Sequence, residues 1–322
     1  MAQVVVVGSY NQDHVWRLDR FPQPGETRRG DAFATGPGGK GFNQAVACAR
    51  QGVRTAFIAA CGDDALGAGA RALAKREGID GRWQLHAQHA TGTAAILIDA
   101  SAQNEIVVAL GANEHLAPDF VRAQQDAFDG ARIVLAQGEN NLDAVAAALE
   151  FGESGGLTRI LNPAPVDAAL SAGLLRHVDI LTPNETEFAL LLERFAHERV
   201  DPNTLTQRGD AQLHALARKL GVGTVVVTLG AHGVFVSHGT NRRGDDADFY
   251  RVPGERAKPI DTTGAGDCFS GTLAAALVLF HNALFSRTVA HANRCAALST
   301  ESPGAAAAMP TFDAVVARFG GS

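Results

Sequence analysis

Short runs of apolar, often β-branched residues recur along this chain with helix-length stretches between them, and no other feature restricts its fold as tightly. "VVVVG" (4–8), "TAFIAA" (55–60), "RIVLAQ", "RILN", "VDILTP" and "TVVVTLG" each read as a strand. Phe42, Ala45, Val46 and Ala49 fall at i, i+3, i+4 and i+7, a second helix is predicted over roughly 65–77, and Phe188, Leu191, Leu192 and Phe195 mark a further helical face. A strand without polar alternation needs cover on both faces, and strands that alternate with helices pair in parallel. The expected class is therefore α/β, with a mostly parallel central sheet and helices on both of its faces.

Two segments break the rhythm. Residues 10–35 are polar, aromatic and rich in turn formers, and "TAAILID" with "NEIVVAL" (93–110) has the form of a hairpin. Both suit a small β-sheet lid, with strands from about 10–36 and 92–111. No repeat or linker divides the 322 residues, so a single domain over 1–322 is expected. With a formal charge of −6 and no dense Lys/Arg run, nothing in the electrostatics favours nucleic acid. No apolar run approaches a membrane span, and the start "MAQVVVVGSY" lacks a basic leader, which points to a cytoplasmic protein without a membrane partner. Cys48, Cys61, Cys268 and Cys295 have no metal-ligand spacing and read as small buried hydrophobes, and no His/Asn constellation frames Cys268 as a nucleophile.

Polar clusters follow five of the apolar runs: "GSYNQD", "GEN", "NPAP", "PNETE" and "GAHG". Open parallel sheets bind ligands at the carboxyl ends of their strands, so these clusters mark the expected site. The glycine run "GPGGKG" (36–41) matches GxGxxG, but the first strand ends at Gly8, not there, and "GAGARA" (67–72) is equally misplaced for a dinucleotide loop. Gly41 after Lys40 excludes a Walker A loop. What remains is a glycine-rich helix start that lets a ligand approach the backbone. Near the end, "DTTGAGDCFSG" leads into an apolar helix. By itself it reads either as a helix cap or as an anion-binding loop with Asp267 as a base beside it.

"GGKGFNQAVA" and "DTTGAGDCFSG" resemble the two signature motifs of the PfkB carbohydrate-kinase family, and "TPNETE" resembles its internal NxxE motif. The wider frame, including "FPQPGET", "LNPAP" and "AHANRCAALSTESPGA", is similar to the ribokinase branch over nearly the whole chain. The resemblance implies a ribokinase-like, Rossmann-type three-layer core with a β-sheet lid. It also implies ATP-dependent phosphoryl transfer to D-ribose, or alternatively to another pentose or a nucleoside. Gly264, Ala265 and Gly266 would cradle the transferred phosphoryl group, and Asp267, kept ionised by the helix dipole, would take the hydroxyl proton. The sugar side carries over as Asn11, Gln12, Asp13, Gly39, Lys40, Gly41, Phe42, Asn43 and Glu139. The ATP side carries over as Asn184, Thr228, Leu229, Gly230, Ala231, His232, Gly233, Gly266 and Asn293. Glu187 would hold Mg²⁺ through water, and Asp261, Thr263, Ser299, Ser302 and Gly304 match the K⁺ loop. A homodimer through the lid strands is implied by analogy.

Asp13 and Glu139 suit sugar hydroxyls, and no basic cluster accompanies them to hold a phosphorylated substrate. Three residues depart from the family pattern. Phe42 stands where a small residue is usual, which puts pocket size and base stacking in play. Tyr10 is bulky beside Asn11, and Ala308 replaces a serine of the K⁺ site.

Overall fold

The computed structural model describes residues 1–101, 103–166 and 169–320. In chain order its first strands are β1 (Val4–Val7), β2 (Asn11–Arg17), β3 (Ala32–Gly38), β4 (Thr55–Gly62), β5 (Asp80–His86), β6 (Gly92–Ile98) and β7 (Asn104–Ala109). There follow β8 (Ile133–Gln137), β9 (Thr158–Asn162), β10 (Ile180–Leu181), β11 (Thr224–Thr228), β12 (Val234–His238) and β13 (Phe249–Val252). Nine of them form one sheet in the order β13-β12-β11-β10-β9-β8-β1-β4-β5, parallel from β11 to β5 and antiparallel only at β12 and β13. The α/β expectation holds, and the antiparallel edge supplies the "mostly".

The unbroken valines of β1 follow from its central place. Val5 and Val7 join Ile58 and Val134 in one core, while Val4 and Val6 join Phe57 and Leu135 in another on the opposite face. Successive side chains of a strand point to opposite faces, so a strand covered on both sides has no polar position to spare. The helices Leu142–Ser154, Glu185–Ala196 and Asp210–Arg218 contribute to the first core, and Lys40–Arg50, Ala65–Arg76, Ala265–Leu279 and Phe285–Ser299 to the second. All four cysteines are free and buried, and the Cys268 thiol is pushed up to about 12 by burial, which leaves it unreactive.

Ala265–Leu279 is buried nearly all round. Its Gly271 packs against the helix Lys40–Arg50, where a Cβ would stand 2.8 Å from the Ala47 Cβ and closer still to the Gln44 carbonyl oxygen. The Cys48 thiol donates to the Gly271 carbonyl at 2.9 Å across the same contact. This close approach sets the first turns of the two helices side by side.

The other four strands make a separate sheet in the order β3-β2-β6-β7, in which β6 and β7 form an antiparallel hairpin. It is tethered beside the carboxyl end of β1, because only three residues separate β1 from β2 and β3 runs into the helix Lys40–Arg50. Among the described residues no helix is long and apolar enough to cross a membrane.

Candidate active site

Two glycines open the helices that form the site. Gly39, at φ 86°, precedes Lys40–Arg50, and Gly264, at φ 76°, precedes Ala265–Leu279. Both need the left-handed backbone that glycine adopts freely. At Gly39 a Cβ would also come within 2.6 Å of the Asn11 backbone nitrogen.

Asp267 lies buried in the first turn of the second helix. Asn43 donates from Nδ2 to its Oδ2 at 2.9 Å, and Gln44 donates from Nε2 to its Oδ1 at 2.9 Å. Burial pushes the Asp267 carboxyl above its ordinary value, and Lys40 and the two amides oppose this without reversing it. The expected influence of the helix dipole is thus outweighed by desolvation, and the result is a stronger base. Burial alone would discharge Lys40, but Asp267, Glu139 and Glu187 around it turn its net shift upward, so it stays an ammonium.

Asn11 and Asp13 share one face of β2 by the period-two rule. The Asp13 carboxylate occupies the space a Cβ at Gly38 would need, which explains that glycine. Its carboxyl is pushed up to about 7, first by burial and then by Glu139 and Asp267. Glu139 accepts from the Ser9 hydroxyl at 2.7 Å and from the Lys40 backbone N–H at 3.0 Å. Asn43 Oδ1 is buried without a partner.

A cleft of about 360 Å³ is lined by Asn184, Thr228, Gly230, Ala231, Gly233 and Asn293, all expected on the nucleotide side. Its apolar walls, Ala257, Pro259, Phe269 and Ala296 among them, are not part of that expectation. Asn184, Thr228, Thr262, Ala265 and Gly266 also line a polar cavity of about 150 Å³ that holds Lys40, Glu187 and Asp267. The cleft therefore opens onto the aspartate. Asn184 and Glu187 form a full capping box, with Asn184 Nδ2 also on Glu187 Oε1 at 3.0 Å. Burial raises the Glu187 carboxyl, with Asp267 and Glu185 adding to the shift and Lys40 opposing it. In the expected K⁺ loop, Asp261 accepts from the Thr263 and Gly304 N–H groups, each at 2.9 Å.

Several expected residues are placed elsewhere. The Phe42 ring is 0% exposed and packs edge-on against Tyr10 and Phe57, so it belongs to the core and lines no sugar pocket. Tyr10 is buried with it. Gln12 lies on the face of β2 away from Asp13, donating to the Gly36 carbonyl at 2.8 Å. Gly41 packs on Gly8 at the end of β1, a close backbone contact. Leu229 is turned into the first core, and His232 is exposed outside the cleft lining. The Ala265 N–H donates to the Thr262 carbonyl at 3.2 Å, so Gly264 and Gly266 remain for an anion. Ser299 donates its hydroxyl to the Ala296 carbonyl at 2.8 Å within its own helix, and Ser302 is exposed. Ala308 is buried and brings no hydroxyl to that loop.

Sequence reading missed the amides behind Asp267, namely Gln44, Gln137 and Asn162, and also Asn113, whose Nδ2 reaches Asn11 Oδ1 at 3.0 Å. The available signal was a polar residue closing each of the apolar runs "RIVLAQ" and "RILN".

Residues 1–312 match the family described as pfkB family carbohydrate kinase. The chain is 36% identical to a ribokinase of Haemophilus influenzae over 309 residues, covering 96% of this chain and 95% of that protein. Its fold is similar to a ribokinase of Giardia lamblia, with a TM-score of 0.86, 28% identity and 98% of each chain covered. It is similar also to an Arabidopsis thaliana ribokinase complexed with ribose and ATP, with a TM-score of 0.81, 29% identity, and 100% and 99% covered. The chain belongs to the pfkB family of carbohydrate kinases.

Proposed function

We propose that this pfkB-family kinase phosphorylates D-ribose with ATP, giving ribose 5-phosphate and ADP. The observation that carries this reading is the place of Asp267, where the cavity shared with the nucleotide cleft meets the helix that bears Asn43 and Lys40. The base of ATP lies in the apolar cleft, and its phosphates reach the Gly264 and Gly266 N–H groups at the helix start. The sugar hydroxyl oxygen attacks the terminal phosphorus, the bond to the bridging oxygen of ADP breaks, and the hydroxyl proton passes to Asp267. Lys40 balances the charge that gathers there.

On the sugar side, Asp13 and Glu139 accept hydrogen bonds from hydroxyl groups, and the orphaned Asn43 Oδ1 gains a donor. Bound Mg²⁺ would supply charge neutralisation on the phosphates. Glu187 suits it, since a hydrated hard cation needs only one or two carboxylates. Asp261, Thr263 and Gly304 would form the core of a K⁺ loop. The nucleoside alternative loses its main support, because a ring buried in the core cannot stack on a base. Pairing of two copies through the lid is supported by Phe33 at 57% and Val107 at 72% exposed, with Ile106 and Val108 beside Val107 on the edge strand β7.

The test is ADP release with ribose, deoxyribose, other pentoses, fructose and nucleosides, with the phosphorylated position identified. Ribose should be preferred, and Asp267→Asn should lower turnover by about 10²–10⁴ with little change in KM. A nucleoside preferred over ribose would overturn the assignment.

A further inference from the structure

An ionised carboxylate only accepts hydrogen bonds, so a buried amide facing it must present its nitrogen. The buried side chains behind Asp267 obey this with one polarity throughout. Gln137 donates from Nε2 to Gln44 Oε1 at 2.6 Å. Gln44 donates from Nε2 to Asp267 Oδ1 at 2.9 Å and to Asn162 Oδ1 at 3.1 Å, and Asn162 donates onward to the Thr182 carbonyl at 2.9 Å. Reversing Gln44 would set its oxygen against two acceptors and its nitrogen against the Gln137 amide nitrogen, so its neighbours decide its direction. Gln137 takes its direction from Gln44, because its Nε2 faces Gln44 Oε1 while its own Oε1, lying against Gly8, is buried without a partner.

Asn43 supplies the matching donor on Oδ2. With an N–H on each oxygen, a proton added to either one would point at a donor, so both amides favour the carboxylate. Their positions differ, however. Asn43 has a free oxygen to offer a sugar, whereas Gln44 is 0% exposed and lies behind the carboxylate. Gln44 meets the cavity through two groups, Asp267 and the Asn162 amide in its wall, and only the first titrates.

We infer that Gln44 is a positioning residue that holds Asp267 in its carboxylate form, with Gln137 satisfying the Gln44 oxygen from behind; this rests on Asp267 being the base. Gln44→Leu removes the donor with little change in volume. The acid limb of the kcat–pH profile should move upward by about one unit, as expected for one lost hydrogen bond to a charged group. That is about a tenfold loss of kcat below the limb and little loss well above it, with both KM values within about twofold. Gln137→Leu should move the limb the same way by less, and it decides the matter if Gln44→Leu does not fold. An equal loss of kcat at every pH, with the limb unmoved, overturns the inference and leaves Gln44 as packing. Asp267→Asn measured alongside separates the two readings. If it keeps its turnover, the base assignment has failed; if it is inactive while the limb stays in place in the glutamine variants, only the role of Gln44 falls.

Discussion

Gly271→Ala adds one carbon far from any ligand, yet it should damage catalysis more than stability. The new Cβ would stand 2.8 Å from the Ala47 Cβ, with the Gln44 carbonyl oxygen nearer still, and neither atom sits at the end of a flexible side chain. Carbon atoms rest about 3.5–4.0 Å apart, so the helices Lys40–Arg50 and Ala265–Leu279 must separate by about 1 Å. Asp267 is one turn from Gly271, and its bonds to Asn43 and Gln44, both 2.9 Å, span the same interface. A rigid separation of that size would stretch them past the range of a hydrogen bond. Overpacking of this kind costs about 1–3 kcal/mol, a fall in Tm of about 2–4 °C for a chain of this size. Misplacing a catalytic group by about 1 Å costs about 10²-fold in kcat. Ala265, Gly266 and Phe269 of the same helix line the nucleotide cleft, so the KM for ATP should rise alongside the loss of kcat. Thermal unfolding and steady-state kinetics on the purified variant decide it. A normal kcat at a lowered Tm would show that the helices adjust without moving Asp267, and would refute the link between helix spacing and the base.

Asp13 titrates near 7 in the folded chain and near 3.8 when unperturbed, so between those values the folded state holds a proton that the unfolded state has lost. Stability therefore falls as pH rises through that window, and Asp13→Asn should flatten the decline in Tm between about pH 4 and about pH 7 while raising the sugar KM. Parallel Tm profiles for the two proteins would contradict the burial of Asp13 beside Glu139. Turnover should respond only weakly to K⁺, since Ala308 brings no hydroxyl to the loop; a strong, saturable requirement in a K⁺ titration would refute this. Val107→Asp should shift a lid-paired dimer toward monomer in sedimentation, because it places a charge at the centre of the exposed strip of β7, and an unchanged mass would exclude that face.

Much of this fold was legible because its causes are local. Four consecutive valines favour a strand covered on both faces, and "DTTGAGDCF" favours a helix start with small residues and an acid in its first turn. The glycines at 39 and 264 belong to the same class, since a positive φ is a demand made at one residue. Polar clusters after the apolar runs point to the carboxyl edge of the sheet, where the candidate site is built.

What the sequence left open were directions and distances between segments far apart in the chain. Phe42 sits among sugar-side residues, yet the helix turns its ring toward Tyr10 and Phe57, and only packing decides which side of a helix faces inward. The Gln12 and Leu229 side chains turn away from the site for the same reason, while their neighbours face it. The Asp267 carboxyl was expected to be lowered by its helix and is raised, because the burial supplied by distant residues exceeds the local dipole. Gln44, Gln137 and Asn162 became partners only when three separate segments met. Sequence determined the elements and the chemistry at their ends; the tertiary structure decided which side chains met and which were kept from water, because desolvation and hydrogen bonding depend on neighbours in space.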